Sequence, residues 1–223
     1  MIQAKNEYGW HFIPKGTEYT YTAQKIISGG VHEPETIKFI RDAAADKAII
    51  HAGAGFGDFL PAFKDLKWVY TFEPNPLNLE AVRASVEAND LQNVSVIPCA
   101  LGSYEGVIDI QVTDDLGRPM GVRTEVASDG HQVCVTTMDA VISEDVPISI
   151  IHLDLEGYEF EALDGARKII DKWHPIVILE IDKRAVDYNN YMEKLGYYPA
   201  QHLVYDSGPM IFVNTVYRYR DEV

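Results

Sequence analysis

IIHAGAGFGD at residues 49–58 is followed by VYTFEPNP at residues 69–76, and together these two stretches predict the fold. Each begins with an apolar run typical of a buried strand, and a glycine-rich turn separates them. Gly53, Gly55 and Gly57 let backbone N–H groups approach a ligand where a Cβ would collide. Glu73 ends the second strand, where a carboxylate can accept hydrogen bonds from ribose hydroxyls. The pattern indicates an adenosine-containing cofactor held at the edge of a parallel sheet.

The residue after the glycine turn bears on which cofactor this is. A dinucleotide fingerprint has glycine or alanine at its sixth position, where a helix N-terminus meets the pyrophosphate. This chain has Asp58 there, and an aspartate repels that anion. S-adenosylmethionine carries no phosphate and has a cationic sulfonium, so the turn favours it over a nicotinamide dinucleotide. A nicotinamide-dependent oxidoreductase is the weaker alternative.

The charge balance limits the partners that we expect. The chain has 223 residues with 34 acidic and 19 basic side chains, a formal charge of −15. Such a charge disfavours phosphate backbones and anionic membrane surfaces, so nucleic acid and membrane are not expected partners. The N-terminal residues show no apolar signal core, and no apolar stretch approaches the roughly 20 residues that span a bilayer. We expect a soluble, cytoplasmic protein of unknown oligomeric state.

The two cysteines, Cys99 and Cys134, do not form a pattern. They are too few for a disulfide framework and lack metal-ligand spacing, so we expect reduced, buried thiols.

The remaining chain alternates apolar strands with amphipathic helices, which predicts an α/β fold with a mostly parallel sheet. Strands are expected at residues 48–51, 68–72, 94–99, 149–155 and 176–181, and helices at 33–45, 58–66, 159–172 and 184–195. A further helix follows Asn75, which can cap it, with Pro76 in its first turn. Residues 197–205 and 210–216 predict a C-terminal antiparallel hairpin.

We expect residues 1–223 to form one domain. Residues 1–45 are expected to form an irregular N-terminal arm, over 1–31, and a helix; 46–101 form the cofactor-binding half, and 142–223 the second half of the sheet. Residues 102–141 are rich in turns and β-forming residues, with strands expected at 107–112 and 132–136, and read as an insertion near the site.

Four ordered segments resemble the FkbM-type S-adenosylmethionine-dependent methyltransferases, over about residues 33–182. They are HAGAGFG at 51–57, FEPNP at 72–76, NVSVIPCALG at 93–102 and HLDLEGYEFEALDGA at 152–166. The resemblance implies a Rossmann-like class I methyltransferase that binds S-adenosylmethionine and methylates a hydroxyl group of a small molecule or glycan. The last segment is the most specific of the four.

Three positions depart from the family pattern. His51 stands where the family usually has aspartate, Gly55 replaces asparagine, and His152 replaces lysine. A carboxylate at position 51 would normally meet the ammonium of the cofactor. These departures motivate an alternative function, a non-catalytic cofactor-binding protein that keeps the methyltransferase fold.

The candidate site residues divide into two groups. Those expected to bind the cofactor are His51, Gly53, Gly55, Gly57, Glu73, Ala100, Leu101 and Asp154. The catalytic candidates are Asp154, Glu156 and His152, since an alcohol acceptor needs a group that takes its proton. Structural alternatives remain for each, namely a tight turn, a solvated strand-end acid, a helix cap or a satisfied core histidine.

Other charged residues are weaker candidates. Glu180 ends the fifth expected strand and is a site residue or a partner of a nearby base with equal weight. Arg118 and Arg123 lie in the insertion, where a solvated loop charge is favoured over a role in holding an anionic substrate. The carboxylates allow a divalent metal, but none is predicted.

Overall fold

The computed structural model describes residues 1–122, 125–181, 185–207 and 210–220. Its strands are β1 (Ile2–Lys5), β2 (Trp10–Ile13), β3 (Ala48–Ala52), β4 (Trp68–Phe72), β5 (Val94–Ile97), β6 (Ala100–Leu101), β7 (Gly106–Gln111), β8 (Glu125–Val126), β9 (His131–Thr136), β10 (Ile148–Leu153), β11 (Ile176–Ile181), β12 (Tyr197–Ser207) and β13 (Met210–Tyr219). Its helices are α1 (Tyr21–Ile27), α2 (Pro34–Ala43), α3 (Pro76–Ala88), α4 (Met138–Val141), α5 (Glu159–Asp164), α6 (Arg167–Trp173) and α7 (Ala185–Lys194), with a 3-10 helix at Leu60–Phe63.

The main sheet has seven strands in the order β12-β13-β11-β10-β3-β4-β5. Strands β11, β10, β3, β4 and β5 are mutually parallel, whereas β13 runs antiparallel to both β11 and β12. The predicted fold class, a mostly parallel α/β sheet with a C-terminal antiparallel hairpin, is confirmed. Residues 208 and 209 of the expected hairpin turn lie outside the described residues.

Both faces of the sheet are covered, which explains the continuous apolar runs of its central strands. Ile50 and Ile151 pack into the core on one face, and Ile49 and Ile150 into the core on the other, all with negligible exposure. Within the described ranges, every helix is too short or too polar to cross a membrane.

The order in which the chain adds strands to the sheet changes direction between β3 and β10. The chain runs outward from β3 through β4 to β5, and then returns so that β10 lies on the opposite side of β3. Parallel sheets bind ligands in the crevice at such a point, outside the carboxyl ends of the strands. His51 is the register partner of His152, so the glycine turn after β3 lies beside the segment after β10.

Helix α3 begins as the sequence predicts. The Asn75 side chain accepts a hydrogen bond from the Leu77 N–H at 3.1 Å, and Pro76 occupies the first helical position. This cap fixes the direction in which the chain leaves Glu73.

Two expected helices are shorter than predicted. The helix expected at 58–66 is reduced to the 3-10 helix, in which hydrogen bonds join residues three apart, as from the Ala62 N–H to the Phe59 carbonyl at 3.0 Å. The helix expected at 159–172 is broken into α5 and α6. Gly165 at the break packs against the Gly102 carbonyl, and Asp139 accepts hydrogen bonds from the first backbone N–H groups of α6.

The prediction of an irregular arm at 1–31 is wrong. Strands β1 and β2 form an antiparallel hairpin, and α1 follows it. The Asn6 side chain accepts a hydrogen bond from the Tyr8 N–H at 2.9 Å and so organises the hairpin turn. Asn89 then holds Trp10 through two hydrogen bonds, which docks the hairpin on α3.

Strands β7, β8 and β9 of the expected insertion join β6, which precedes it, in a small sheet in the order β6-β9-β7-β8. Its two predicted strands are present as β7 and β9. Arg118 forms an ion pair with Asp114 at 2.7 Å and lies over the Tyr19 ring, in agreement with a loop role. Arg123 lies outside the described residues.

Candidate functional site

The three glycines of the turn all have left-handed backbone conformations, with φ of +84°, +51° and +75° at 53, 55 and 57. A Cβ on Gly53 would overlap the backbone oxygen of Asp154. One on Gly57 would lie 3.2 Å from the Cα of Val82 in α3. The protein's own packing therefore requires glycine here, and the close approach of a ligand stays a prediction.

Glu73 leaves the end of β4 and is only 3 % exposed. Its carboxylate accepts hydrogen bonds from the Asn75 N–H at 2.8 Å, from the Asn78 amide, and from the backbone N–H of Gly55. Burial raises the pKa of Glu73 to about 7, although these hydrogen bonds oppose the shift. Glu73 thus ties the glycine turn to the start of α3.

A cleft opens between the ends of β3, β4, β6 and β10, and we call it the β4-side cleft. Its lining includes Gly53, Phe72, Glu73, Ala100, Leu101, Asp154 and Tyr158. The cleft is mostly apolar, with carboxyl groups at its edges. Cys99 also lines it and is half-buried, whereas Cys134 is exposed. The prediction that both thiols are buried is wrong, because β9 turns Cys134 outward in the small sheet.

A second cavity lies beyond β10, and we call it the β11-side pocket. Its lining is His32, Asp154, Glu156, Glu180, Tyr205 and Phe212, with Thr22, Val122 and Glu125. Asp154 and Glu180 follow or end neighbouring parallel strands, which brings them together. Tyr205 donates a hydrogen bond to Glu180 Oε1 at 2.6 Å. Asp154 and Glu156 line both cavities.

The carboxyl of Asp154 is buried among other acids. Removal from water raises its pKa well above the usual value, and the negative charges of Glu180, Glu156 and Glu33 raise it further. Asp154 also lies within hydrogen-bonding distance of Glu180. Once ionised, a carboxylate with a raised pKa is a stronger base than an ordinary aspartate.

His51 and His152 form a buried pair behind these carboxyls. Their Nδ1 atoms are 2.9 Å apart, and the ring of Phe59 lies parallel to both imidazoles. Burial lowers the pKa of His152 to about 4 and that of His51 well below its usual value. Both rings line a cavity with Glu33, Asp58 and Asp154, and both are neutral near pH 7.

Glu159 is a positioning residue that the sequence reasoning missed. Its Oε1 accepts hydrogen bonds from the Leu155 N–H at 3.0 Å and the Gly157 N–H at 3.2 Å. Its Oε2 accepts one from the Tyr188 hydroxyl at 2.6 Å. Glu159 therefore holds the segment that carries Asp154 and Glu156.

Glu33 and Asp58 were also missed as site residues. Glu33 is 4 % exposed. Its pKa is raised to about 8, mainly by burial and secondly by the negative charge of Glu180. Burial raises the pKa of Asp58 to about 7. The one available signal for Glu33 was an acidic residue directly before Pro34, where Ser, Thr, Asp or Asn is the usual helix cap.

The structure thus places all of the predicted site residues around the change of direction in the sheet. Ala100 and Leu101 line the β4-side cleft with Gly53 and Glu73, and Asp154 and Glu156 face both cavities. His152 bonds His51 rather than any of the described carboxylates.

Comparison with solved structures shows the same fold in several methyltransferases. A methyltransferase FkbM from Methylobacillus flagellatus KT has 20 % identity and a TM-score of 0.55, and the match covers 78 % of this chain and 44 % of that chain. The chain therefore spans less than half the length of that protein. An rRNA methylase from Streptococcus thermophilus has 16 % identity and a TM-score of 0.51, with 83 % and 95 % covered. The B. subtilis m1A22 tRNA methyltransferase TrmK has 12 % identity and a TM-score of 0.55, with 85 % and 66 % covered.

No curated protein matches the chain in sequence. The model of the methyltransferase FkbM domain matches residues 51–202, which is more than half of the chain and includes the turn after β3 and the segment after β10. The chain belongs to the FkbM methyltransferase family, and its cofactor is S-adenosylmethionine.

Proposed function

We propose that this chain transfers a methyl group from S-adenosylmethionine to a hydroxyl group of a small molecule or glycan. The observation that carries the proposal is that the β4-side cleft and the β11-side pocket share Asp154. A cofactor in the first cavity and an acceptor in the second would meet beside a carboxyl that has a raised pKa.

The residues of the β4-side cleft fit the cofactor. Glu73 would accept hydrogen bonds from the ribose hydroxyls, and Ala100 and Leu101, which line the same cleft, would contact the adenine. His51, Gly55 and Gly57 complete the turn that would surround the methionine part, and Asp154 would face its cationic end. Carboxyl groups suit a sulfonium and an ammonium, whereas they would repel a pyrophosphate.

Catalysis would depend mainly on how the acceptor hydroxyl is positioned relative to the methyl group. The bound cofactor supplies a methyl group on a positively charged sulfur, and no covalent enzyme intermediate is required. Holding the acceptor in line with that methyl group contributes roughly 7–11 kcal/mol in well-oriented intramolecular reactions. Asp154 would take the hydroxyl proton, with Glu156 as the second candidate base, and a positioned base adds about 10²–10⁴-fold.

The choice of a small acceptor is supported by charge. The formal charge of −15 opposes the approach of a nucleic acid backbone. The rRNA and tRNA methylating relatives share less than 25 % identity with this chain, so they support the common fold and not a common acceptor. Val122 of the insertion at 102–141 packs against Gly55 in the glycine turn. The insertion would therefore contribute to substrate selection. We propose that residues 1–223 form a single domain.

The test combines binding and turnover. Calorimetric titration with S-adenosylhomocysteine, with NAD(H) as the parallel ligand, should give one-to-one binding of the former alone. Asp154→Asn should then lower methyl transfer to hydroxylated acceptors by about 10²–10⁴-fold. Its affinity for S-adenosylhomocysteine should change much less.

Glu87→Gln on the exposed side of α3 is the matched control and should behave as the wild type. Equal loss of turnover and affinity in Asp154→Asn would mark Asp154 as a cofactor residue and not the base. Binding without turnover across a broad acceptor panel would favour the non-catalytic alternative. Full activity after exhaustive chelation would exclude an essential removable metal.

A further inference from the structure

We propose that the β11-side pocket binds a positively charged organic group of the acceptor, so that the methylated substrate is a hydroxylated amine. The inference rests on the proposed function, because it assigns the β11-side pocket to the acceptor. Four features of the described residues support it.

The first feature is a concentration of carboxyl groups. Asp154 and Glu180 lie within hydrogen-bonding distance of each other, and Glu33 is a third carboxyl, close enough to raise the pKa of Asp154. The β11-side pocket adjoins the cavity that is lined by His51 and His152. Within the described ranges, neither lining includes a lysine or an arginine. Burial and the neighbouring acids raise the pKa of Asp154 and of Glu33, and a bound cation would oppose both shifts because it stabilises the charged form of each carboxyl.

The second feature is independent of the acids. His51 and His152 are each 2 % exposed, and their Nε2 atoms have no hydrogen-bond partner in the described structure. Because one Nδ1 donates to the other, one ring has a bare Nε2 and the other an Nε2–H. Both rings line the cavity with Glu33 and Asp154. The pair thus leaves one buried acceptor and one buried donor beside a cavity that adjoins the β11-side pocket through Asp154 and Glu156.

The third feature is an aromatic wall. The rings of Tyr205 and Phe212 stack with centroids 5.7 Å apart, and His32 meets Tyr205 edge-on at 5.6 Å. Aromatic faces attract organic ammonium groups, whereas a hard metal ion needs a cage of oxygen ligands. Among the described residues, no group of three or more acidic, histidine or cysteine side chains is arranged to hold a metal ion. The combination therefore favours an organic cation over Mg²⁺ or Ca²⁺.

The fourth feature is how firmly the carboxyls are positioned. Tyr205 fixes Glu180, and the Asn214 amide donates to Glu33 Oε2 at 2.5 Å. Glu33 and Glu156 also have left-handed backbone conformations, with φ of +47° and +51°. Non-glycine residues adopt this conformation at a cost, and such residues concentrate at functional sites. The acids are thus held in place before a ligand arrives.

The test uses three probes of nearly equal size on protein saturated with S-adenosylhomocysteine. Ethanolamine carries an ammonium and a hydroxyl, ethylene glycol is neutral, and glycolate is anionic. At matched ionic strength, NMR titration should show ethanolamine binding at least about tenfold more tightly than ethylene glycol, with glycolate weakest. Glu180→Gln and Glu33→Gln should each weaken ethanolamine binding about tenfold, whereas Glu87→Gln should leave it unchanged.

Several results would overturn the proposal. These are equal binding of the three probes, a preference for glycolate, no ethanolamine binding at tens of millimolar, or displacement of ethanolamine by micromolar Mg²⁺. If a glutamine variant does not fold, the order of the probes on the wild type still decides. Binding of S-adenosylhomocysteine is measured first in the same samples. A protein that binds it but ignores ethanolamine would refute this inference and leave the proposed function intact.

Discussion

His51 and His152 share a hydrogen bond between their Nδ1 atoms, which lie 2.9 Å apart at the point where the sheet changes direction. Each residue stands where the resembling family pattern has a charged side chain. Two imidazoles share such a bond when one donates and the other accepts. Burial lowers the pKa of both rings, so the pair is neutral near pH 7 and the two rings have opposite tautomers. A neutral pair thus replaces two charges beneath the site.

We expect this arrangement to be visible by NMR. Imidazole ¹⁵N spectra should show one ring protonated at Nδ1 and the other at Nε2, and neither ring should titrate near pH 6.5. Burial lowers the pKa of His152 to about 4 and lowers that of His51 as well. Between pH 6.5 and 4 the unfolded state therefore binds more protons, and stability falls on acidification. Titration of either ring of the pair near pH 6.5 would contradict the buried pair.

Glu73→Gln should weaken the binding of S-adenosylhomocysteine by an amount on the order of 1.5–3 kcal/mol, which is the range for hydrogen bonds to a charged group. Calorimetric titration measures it. Glutamine keeps one oxygen for the N–H groups of Gly55 and Asn75, so the turn should stay folded. Alanine would also remove those bonds, so a loss of ribose binding could not be separated from a loss of the contacts that tie the glycine turn to α3.

Thermal unfolding of the same variant provides the control, together with Glu87→Gln. Unchanged affinity in a folded Glu73→Gln protein would remove Glu73 from the cofactor site and leave it only the role of tying the turn to α3.

The sequence predicts those features that depend on neighbouring residues. Asn75 and Pro76 start α3 as expected, and the apolar runs of β3, β4 and β11 mark the parallel sheet. Features that depend on distant partners were not predictable from local patterns. The break between α5 and α6 arises because Gly165 meets Gly102. Likewise, Glu33 enters the site through Asn214, which β13 brings from the far end of the chain.

The same distinction explains which site residues were found. Glu73 and Asp154 follow strands, so the carboxyl-edge rule for parallel sheets finds them. Glu159 begins α5 and acts through the Leu155 and Gly157 N–H groups, so in the sequence it resembles any acid in the first turn of a helix.

Gly53→Ala should destabilise the protein much more than Gly117→Ala. Both glycines have left-handed backbones, with φ of +84° and +73°. A Cβ at 117 meets nothing within 4 Å, so alanine there pays only the backbone strain of about 1–2 kcal/mol. At 53 the Cβ overlaps the Asp154 carbonyl, so β3 and β10 must separate locally. Urea unfolding measures the loss in free energy of unfolding for each variant, and the difference between the two losses is the cost of the overlap. Equal losses would show that the turn and the Asp154 segment are not in contact.

Glu33→Gln should change how stability depends on pH. The pKa of Glu33 rises from 4.5 to about 8, because burial and the charge of Glu180 disfavour its ionised form. Between those values the folded protein holds a proton that the unfolded chain has lost. The stabilisation is therefore complete below pH 4.5 and is lost as the pH rises through about 8. One proton corresponds to a slope of about 1.4 kcal/mol per pH unit.

Glutamine cannot titrate but keeps an oxygen for the Asn214 amide. Urea unfolding at several values between pH 5 and 8 should therefore give Glu33→Gln a flatter profile than the wild type, with the variant gaining relative stability as the pH rises. Asp58 and Glu73 have pKa values raised to about 7 and remain in the variant, so its profile should still slope in the same direction. Glu87→Gln should follow the wild type. Parallel profiles for Glu33→Gln and the wild type would mean that Glu33 is ionised in the folded protein at neutral pH, already compensated by a positive charge.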